Sequence, residues 1–230
     1  MEGTAIDRIE FVAVTPAKLA VDRLVGEIGG ALAAGKRVVW FVSGGSAATL
    51  AARASTRLPA SQKLLVLQVD ERYGLPDHPD ANWRKLREAG FMAEKFVCYP
   101  MLGDDDFATI IEKYSQMVEV ALRESEFSVG LFGIGADGHT AGLLPGSEAL
   151  QSERLVAGFQ GPDYQRITIT APAIAKLDLA VAYAVGEEKL PALQEFHEEL
   201  TVEQQPAQAL KAAGRVVIFT DQTERSEEAA

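Results

Sequence analysis

Short apolar runs rich in β-branched residues alternate with helix-patterned stretches along the whole chain, and that rhythm admits few folds. It is the signature of a parallel or mixed sheet covered by helices. Ile9 to Val14 reads as a first strand. Thr15 follows as an N-cap and Pro16 as a first helical position; Val21, Leu24, Val25, Ile28 and Leu32 then recur on one helical face until Gly35. Arg37 to Val42 has the unbroken apolar character of a strand buried on both faces. Ser43-Gly44-Gly45-Ser46 and an alanine-rich helix through Leu58 come next, then a strand over Leu64 to Val69 that runs straight into Asp70-Glu71-Arg72. A loop with Pro76 and Pro79 leads to a short helix around Trp83 to Glu88. Asp104 to Asp106 supply an N-cap for a helix whose Phe107, Ile110, Ile111, Tyr114, Met117, Val118 and Leu122 share a stripe. Val129 to Phe132, Ile167 to Thr170, Leu179 to Val185 and Val216 to Thr220 continue as strands.

No repeat, low-complexity tract or Pro/Ser-rich linker interrupts this pattern, and 230 residues suffice for one sizeable core. The expectation is one catalytic α/β domain over residues 1–221, a three-layer α/β/α Rossmann-like sheet of mainly parallel strands, with 222–230 as a flexible tail. The 33 acidic against 22 basic residues give a net charge of −11, which argues against nucleic acid or an anionic membrane as partner. No apolar run approaches the roughly 18 residues of a membrane span. The start, Met1-Glu2-Gly3-Thr4, lacks a basic and apolar leader, so a cytoplasmic protein is expected. The single cysteine, Cys98, excludes an internal disulfide and a multi-cysteine metal site, and reads as a small buried apolar residue.

In open α/β sheets ligands bind beyond the carboxyl ends of strands, so the loops leaving those ends are where function is sought. Ser43-Gly44-Gly45-Ser46 lies between a buried strand and a helix. Its glycines let backbone approach a ligand, and free N–H groups at a helix start favour an anion, so it reads as a monophosphate cradle. No Gly-Lys-Ser/Thr ending follows, which excludes a Walker loop. Asp70-Glu71-Arg72-Tyr73 is a charged cluster at a strand end, which taken alone fits a solvated ion-pair group. Gly133-Ile134-Gly135-Ala136-Asp137-Gly138-His139 contains a literal G-x-G-x-x-G. A dinucleotide fingerprint needs a long helix next and an acidic residue about 20 positions on. Here Pro145-Gly146 interrupts any helix, and the next strand ends in Ala171-Pro172.

His78 and His197 read as solvated surface, but His139 sits in a glycine-bordered loop at a strand end, with a carboxylate two positions earlier. An imidazole accepts a proton near neutral pH, and Asp137 beside it fixes its tautomer, so His139 is a candidate base. Arg166, opening the Ile167 strand, and Lys189, just past another strand, are candidate cations for the phosphate.

Taken together, Phe41-Val42-Ser43-Gly44-Gly45-Ser46, Val69-Asp70-Glu71-Arg72, Asn82-Trp83, Gly133 through Ala141, Arg166-Ile167-Thr168-Ile169-Thr170 and Gly186-Glu187-Glu188-Lys189 occur in the order seen in the 6-phosphogluconolactonase family. Pro206 to Asp221 resembles that family's end, so the resemblance covers nearly the whole chain. Its most specific part is Asp137-Gly138-His139 with Thr140-Ala141 and Leu144-Pro145. The same superfamily holds glucosamine-6-phosphate deaminases, where an Asn-Glu-Pro sequence follows the core and its Glu assists ring opening. Leu143-Leu144-Pro145 stands there in this chain, which favours the lactonase. Two departures are Ala47-Ala48, where Thr-Pro is usual, and Gly142, where Ser is common.

The resemblance implies the sugar-phosphate isomerase/lactonase type of fold. It further implies hydrolysis of 6-phospho-D-glucono-1,5-lactone to 6-phospho-D-gluconate, a step of the oxidative pentose phosphate pathway, without metal or redox cofactor. On that reading His139 is the general base, oriented by Asp137, and Arg72 stabilises the oxyanion or orients the lactone. Ser43, Gly44, Gly45, Ser46, Asp70, Arg166 and Lys189 hold the substrate and its phosphate. The expected partner is a small sugar phosphate lactone and the expected assembly a monomer or small homo-oligomer. The alternatives are a deaminase or isomerase on the same fold, and a non-catalytic sugar-phosphate sensor, against which retention of Asp137 and His139 speaks.

Overall fold

A computed structural model describes residues 9–13 and 15–222. From the amino end the chain runs through β1 (Ile9–Val12), α1 (Pro16–Ala33), β2 (Val38–Val42), α2 (Ala48–Arg57), β3 (Ser61–Gln68), β4 (Asp70–Arg72), α3 (Asn82–Glu88), β5 (Phe96–Cys98), α4 (Phe107–Glu124) and β6 (Phe127–Gly133). The second half adds β7 (Val156–Gln160), β8 (Gln165–Ile169), α5 (Ala171–Ile174), β9 (Leu179–Ala184), α6 (Leu190–His197) and β10 (Val216–Thr220). Seven strands form a parallel sheet in the order β1-β10-β9-β6-β2-β3-β5, and three form a small antiparallel sheet, β4-β8-β7.

Side chains alternate across a strand, so a strand that is apolar throughout must be covered on both faces. In β2, Val39 and Phe41 join a core with Ile110, Tyr114 and Val118 of α4, while Val38, Trp40 and Val42 join a second core with α1 and α2. Helix α1 gives that second core Ala20, Val21, Leu24 and Ile28, the last three worth about 1.5–3 kcal/mol each on burial. Asp106 caps α4 by accepting from Thr109 N at 2.8 Å. Among the described residues no helix is long and apolar enough to cross a membrane.

Several local expectations are corrected. Thr15 precedes α1 but has a left-handed backbone and makes no capping hydrogen bond with its side chain; Pro16 alone sets the start. The first strand ends at Val12; Val14 and residues 223–230 of the expected tail lie outside the described residues. Strand β9 stops one residue short of Val185. Cys98 is half-buried, its thiol pushed up to about 11 by burial and by the charge of Glu94. His78 is half-buried too, its Nε2 bonded to Arg72 O at 3.0 Å. The Ile167 strand, β8, leaves the parallel sheet and pairs antiparallel with β4 and β7. The pivot is Val69: its N–H still bonds Val42 O of the large sheet at 2.9 Å, while its carbonyl accepts from Ile169 N at 2.8 Å.

This topology creates one crevice. After β2 the chain builds outward through β3 and β5; β6 then returns to the other side of β2 and the chain builds through β9 and β10. Loops leaving β2 and β6 therefore diverge at a topological switch point, where open α/β sheets bind ligands. Those two loops are Ser43–Ser46 and Ile134–His139.

Candidate active site

A cavity of about 200 Å³ opens at this switch point, lined by Ser43, Gly44, Gly45, Ser46, Asp70, Arg72, His139, Arg166 and Lys189. Of the residues singled out in the sequence, only Asp137 is not a wall; it stands behind His139. Asn82, Gly133, Ile134, Gly135 and Ala141 complete the lining. Sequence reasoning assigned no role to Asn82, although Asn82-Trp83 was one of the motifs that carry the family resemblance.

Three different routes bring these groups together. The glycine loop folds as a single 3-10 turn, Gly45–Ala47, before α2, and no side chain caps either start, so the turn's N–H groups are not taken by a cap. Arg72 and Arg166 are direct cross-strand partners in the β4–β8 ladder, with Asp70 opposite Thr168 two pairs along. Like charges placed directly opposite repel, so this pairing favours an anion between or beside them. Lys189 arrives from the 3-10 turn after β9, the neighbour of β6.

The cations are only partly neutralised. Arg166 Nη2 bonds Asp163 at 2.9 and 3.2 Å, but its buried Nε has no partner. Arg72 Nη1 donates to Asp80 O at 2.9 Å and to Asn82 Oδ1 at 3.4 Å. The Lys189 backbone N–H bonds Gly186 O at 3.0 Å, but its ammonium makes no hydrogen bond or ion pair among the described residues. A chain of net charge −11 thus gathers three cations against one carboxyl at a single cavity, a local field that attracts anions.

That carboxyl belongs to Asp70, which burial first, and the charge of Glu71 second, push up to about 6 against Arg72, Arg166 and His139. The effect on stability has a definite sign. Below about pH 4 the carboxyl is protonated folded or unfolded; above that the unfolded chain releases a proton the fold retains, so stability falls until about pH 6. At about 1.4 kcal/mol for each pH unit, the cost at neutral pH is about 3 kcal/mol. Asp70→Asn is therefore expected to raise the melting temperature at pH 8 and leave it near the parent at pH 4. An equal shift at both values would exclude this origin.

In the loop after β6, His139 Nδ1 and Asp137 Oδ1 are 2.5 Å apart, and Asp137 Oδ1 also accepts His139 N at 3.2 Å. Burial pushes the Asp137 carboxyl up, but the hydrogen bond and charge of His139 outweigh it and hold it below the usual range. With Nδ1–H committed to Asp137, Nε2 is the available proton acceptor. A Cβ on Gly135 would lie 2.1 Å from His139 Nδ1 and 2.5 Å from Asp137 Oδ1, so only glycine leaves room for the pair. The loop closes through Gly135 N to His139 O at 2.8 Å and is braced from outside by Ala207 N on Gly138 O at 2.9 Å. Among the described residues no three His, Cys, Asp or Glu side chains gather as a metal-ligand set.

Known proteins carry the same architecture. A family model described as glucosamine-6-phosphate isomerases/6-phosphogluconolactonase matches residues 14–218. The 6-phosphogluconolactonase of Nostoc sp. is 36% identical over 151 residues, 61% of this chain and 62% of that one; this chain therefore matches just under two thirds of that protein's length. The 6-phosphogluconolactonase of Synechocystis sp. is 32% identical over 173 residues, 70% of this chain and 72% of that one. A crystal structure of 6-phosphogluconolactonase from Thermotoga maritima superposes with a TM-score of 0.79 at 20% identity, covering 92% of this chain and 98% of that one, a likeness of fold. With the parallel sheet, its switch-point crevice and a match over residues 14–218, this chain belongs to the glucosamine-6-phosphate isomerase/6-phosphogluconolactonase family.

Proposed function

We propose that this chain hydrolyses 6-phospho-D-glucono-1,5-lactone to 6-phospho-D-gluconate. The observation that carries the reading is the meeting, in one cavity of about 200 Å³, of an Asp137-oriented imidazole with three cations and an uncapped glycine turn. Relatives named 6-phosphogluconolactonase support it.

The chemistry follows from the parts. His139 Nε2 takes a proton from water as the water oxygen bonds to the lactone carbonyl carbon. Arg72 faces the oxyanion that forms, in a site where a fixed charge needs no reorganisation. Collapse of that intermediate breaks the bond to the ring oxygen, which leaves as a hydroxyl with the proton returned by His139. Ser43, Gly44, Gly45, Ser46, Arg166 and Lys189 hold the phosphate, which fixes the ring relative to His139 and turns binding into orientation. Asp70, two residues before Arg72 on β4 and a wall of the same cavity, contacts the substrate. Leu143 is fully buried and Leu144 half-buried, and neither supplies the acid that ring opening of an amino sugar phosphate requires.

The test is a coupled assay on freshly generated lactone, corrected for its spontaneous hydrolysis. A protein-dependent rate is expected, with no ammonia released from glucosamine 6-phosphate. Ammonia release would favour a deaminase. Binding of 6-phosphogluconate with no acceleration of lactone hydrolysis would make the protein a sensor.

A further inference from the structure

Glu71 lies between two cavity residues, Asp70 and Arg72, yet is fully buried and is not part of the cavity wall. Its carboxylate takes four N–H donors. Arg72 N and Asn82 N reach Oε1 at 2.8 and 2.7 Å, and Gln68 Nε2 and Trp83 N reach Oε2 at 2.8 and 2.9 Å. Asn82 and Trp83 are the first two residues of α3, and Ala81 ahead of them offers no cap. A strand residue thus satisfies the start of the next helix in the chain, and the helix in turn makes burial of this carboxylate tolerable.

What depends on that anchor is the wall of the cavity. Asn82 Nδ2 donates to Asp70 O at 3.1 Å, its Oδ1 accepts from Arg72 Nη1 at 3.4 Å, and its side chain shoulders Gly44. We infer that Glu71 is a positioning residue: it holds Arg72, Asn82 and, through Asn82, the glycine turn in register without touching the ligand. The kinetic part of its test rests on the lactonase reading.

A second consequence is electrostatic. The charged groups facing Asp70 are Glu71 and Arg72 on its own strand, Arg166 across the ladder on β8 and His139 from the loop after β6. Of these, Glu71 alone opposes ionisation of Asp70. Its loss would let Arg72 and Arg166 pull the Asp70 titration down, which a purely structural residue would not do.

Two full-chain variants separate reach from charge, each checked for folding by circular dichroism. Glu71→Gln keeps the shape but turns an NH₂ towards N–H donors; Glu71→Asp keeps the charge but falls one methylene short of α3. Glu71→Gln is expected to raise KM about tenfold, more than it lowers kcat. It should also lower the Asp70 midpoint, followed by carboxyl ¹³C NMR, by about half a pH unit or more. Glu71→Asp is expected to raise KM while leaving that midpoint near the parent's. A KM within twofold of the parent in Glu71→Asp, or an unmoved Asp70 midpoint in a folded Glu71→Gln, overturns the inference. Should the parent fail to hydrolyse the lactone, the proposed activity falls, and the Asp70 midpoint together with 6-phosphogluconate affinity in the same variants still decides the role of Glu71.

Discussion

His139→Ala is expected to lower protein-dependent lactone hydrolysis by about 10²–10⁴-fold, the usual contribution of a positioned general base. The loss should fall on kcat. The glycine turn, Arg166 and Lys189 that would hold the phosphate remain in place. The side chain is 39% exposed, so its removal should leave the melting temperature almost unchanged. Activity is read from initial rates corrected for spontaneous ring opening, since the substrate hydrolyses unaided. Rates within a few-fold of the parent would remove His139 from proton transfer and leave electrostatic stabilisation by Arg72 as the main source of acceleration.

Gly44→Ala should damage binding more than chemistry. The added Cβ would lie 2.3 Å from Asn82 Oδ1 and 2.6 Å from Asn82 Cγ. Asn82 cannot simply swing aside, because Asn82 N is bonded to Glu71 at 2.7 Å and Nδ2 to Asp70 O at 3.1 Å. Either the glycine turn retreats from Arg166 and Lys189, or Asn82 lets go of Arg72. Overpacking of this kind costs about 1–3 kcal/mol of stability. A turn drawn back from the phosphate loses about one hydrogen bond to a charged group, about 1.5–3 kcal/mol, which at about 1.4 kcal/mol per decade raises KM about tenfold or more. Steady-state kinetics, with 6-phosphogluconate affinity as a control for binding, decide the matter. A KM within twofold of the parent would mean that the turn does not hold the phosphate.

Much of the framework is legible in the sequence because hydrophobic periodicity is a local property. The unbroken apolar run through Val42 could only be a doubly covered strand, and the α4 stripe from Phe107 to Leu122 could only be a helix laid against it. The small sheet escaped notice for the converse reason. Strand β4 is three charged residues, Asp70–Arg72, whose strand character exists only because β8 lies beside it, and β7 is defined by the same partner. Charge at a strand end reads as solvent exposure, so the fully buried Glu71 looked like part of a surface cluster.

Residue identity by itself determined the alternation of doubly covered strands and helices, a glycine turn between β2 and α2, and an aspartate two positions before a histidine in a loop too glycine-rich to be helical. It also determined that no nearby cation follows the glycine turn in the chain. Tertiary structure decided which cations serve it. The switch point between β2 and β6 sets the two loops side by side, and the antiparallel ladder places Arg72 opposite Arg166 across 94 positions of chain. Strand pairing is a long-range choice fixed by the whole core, and no local pattern of side chains encodes it.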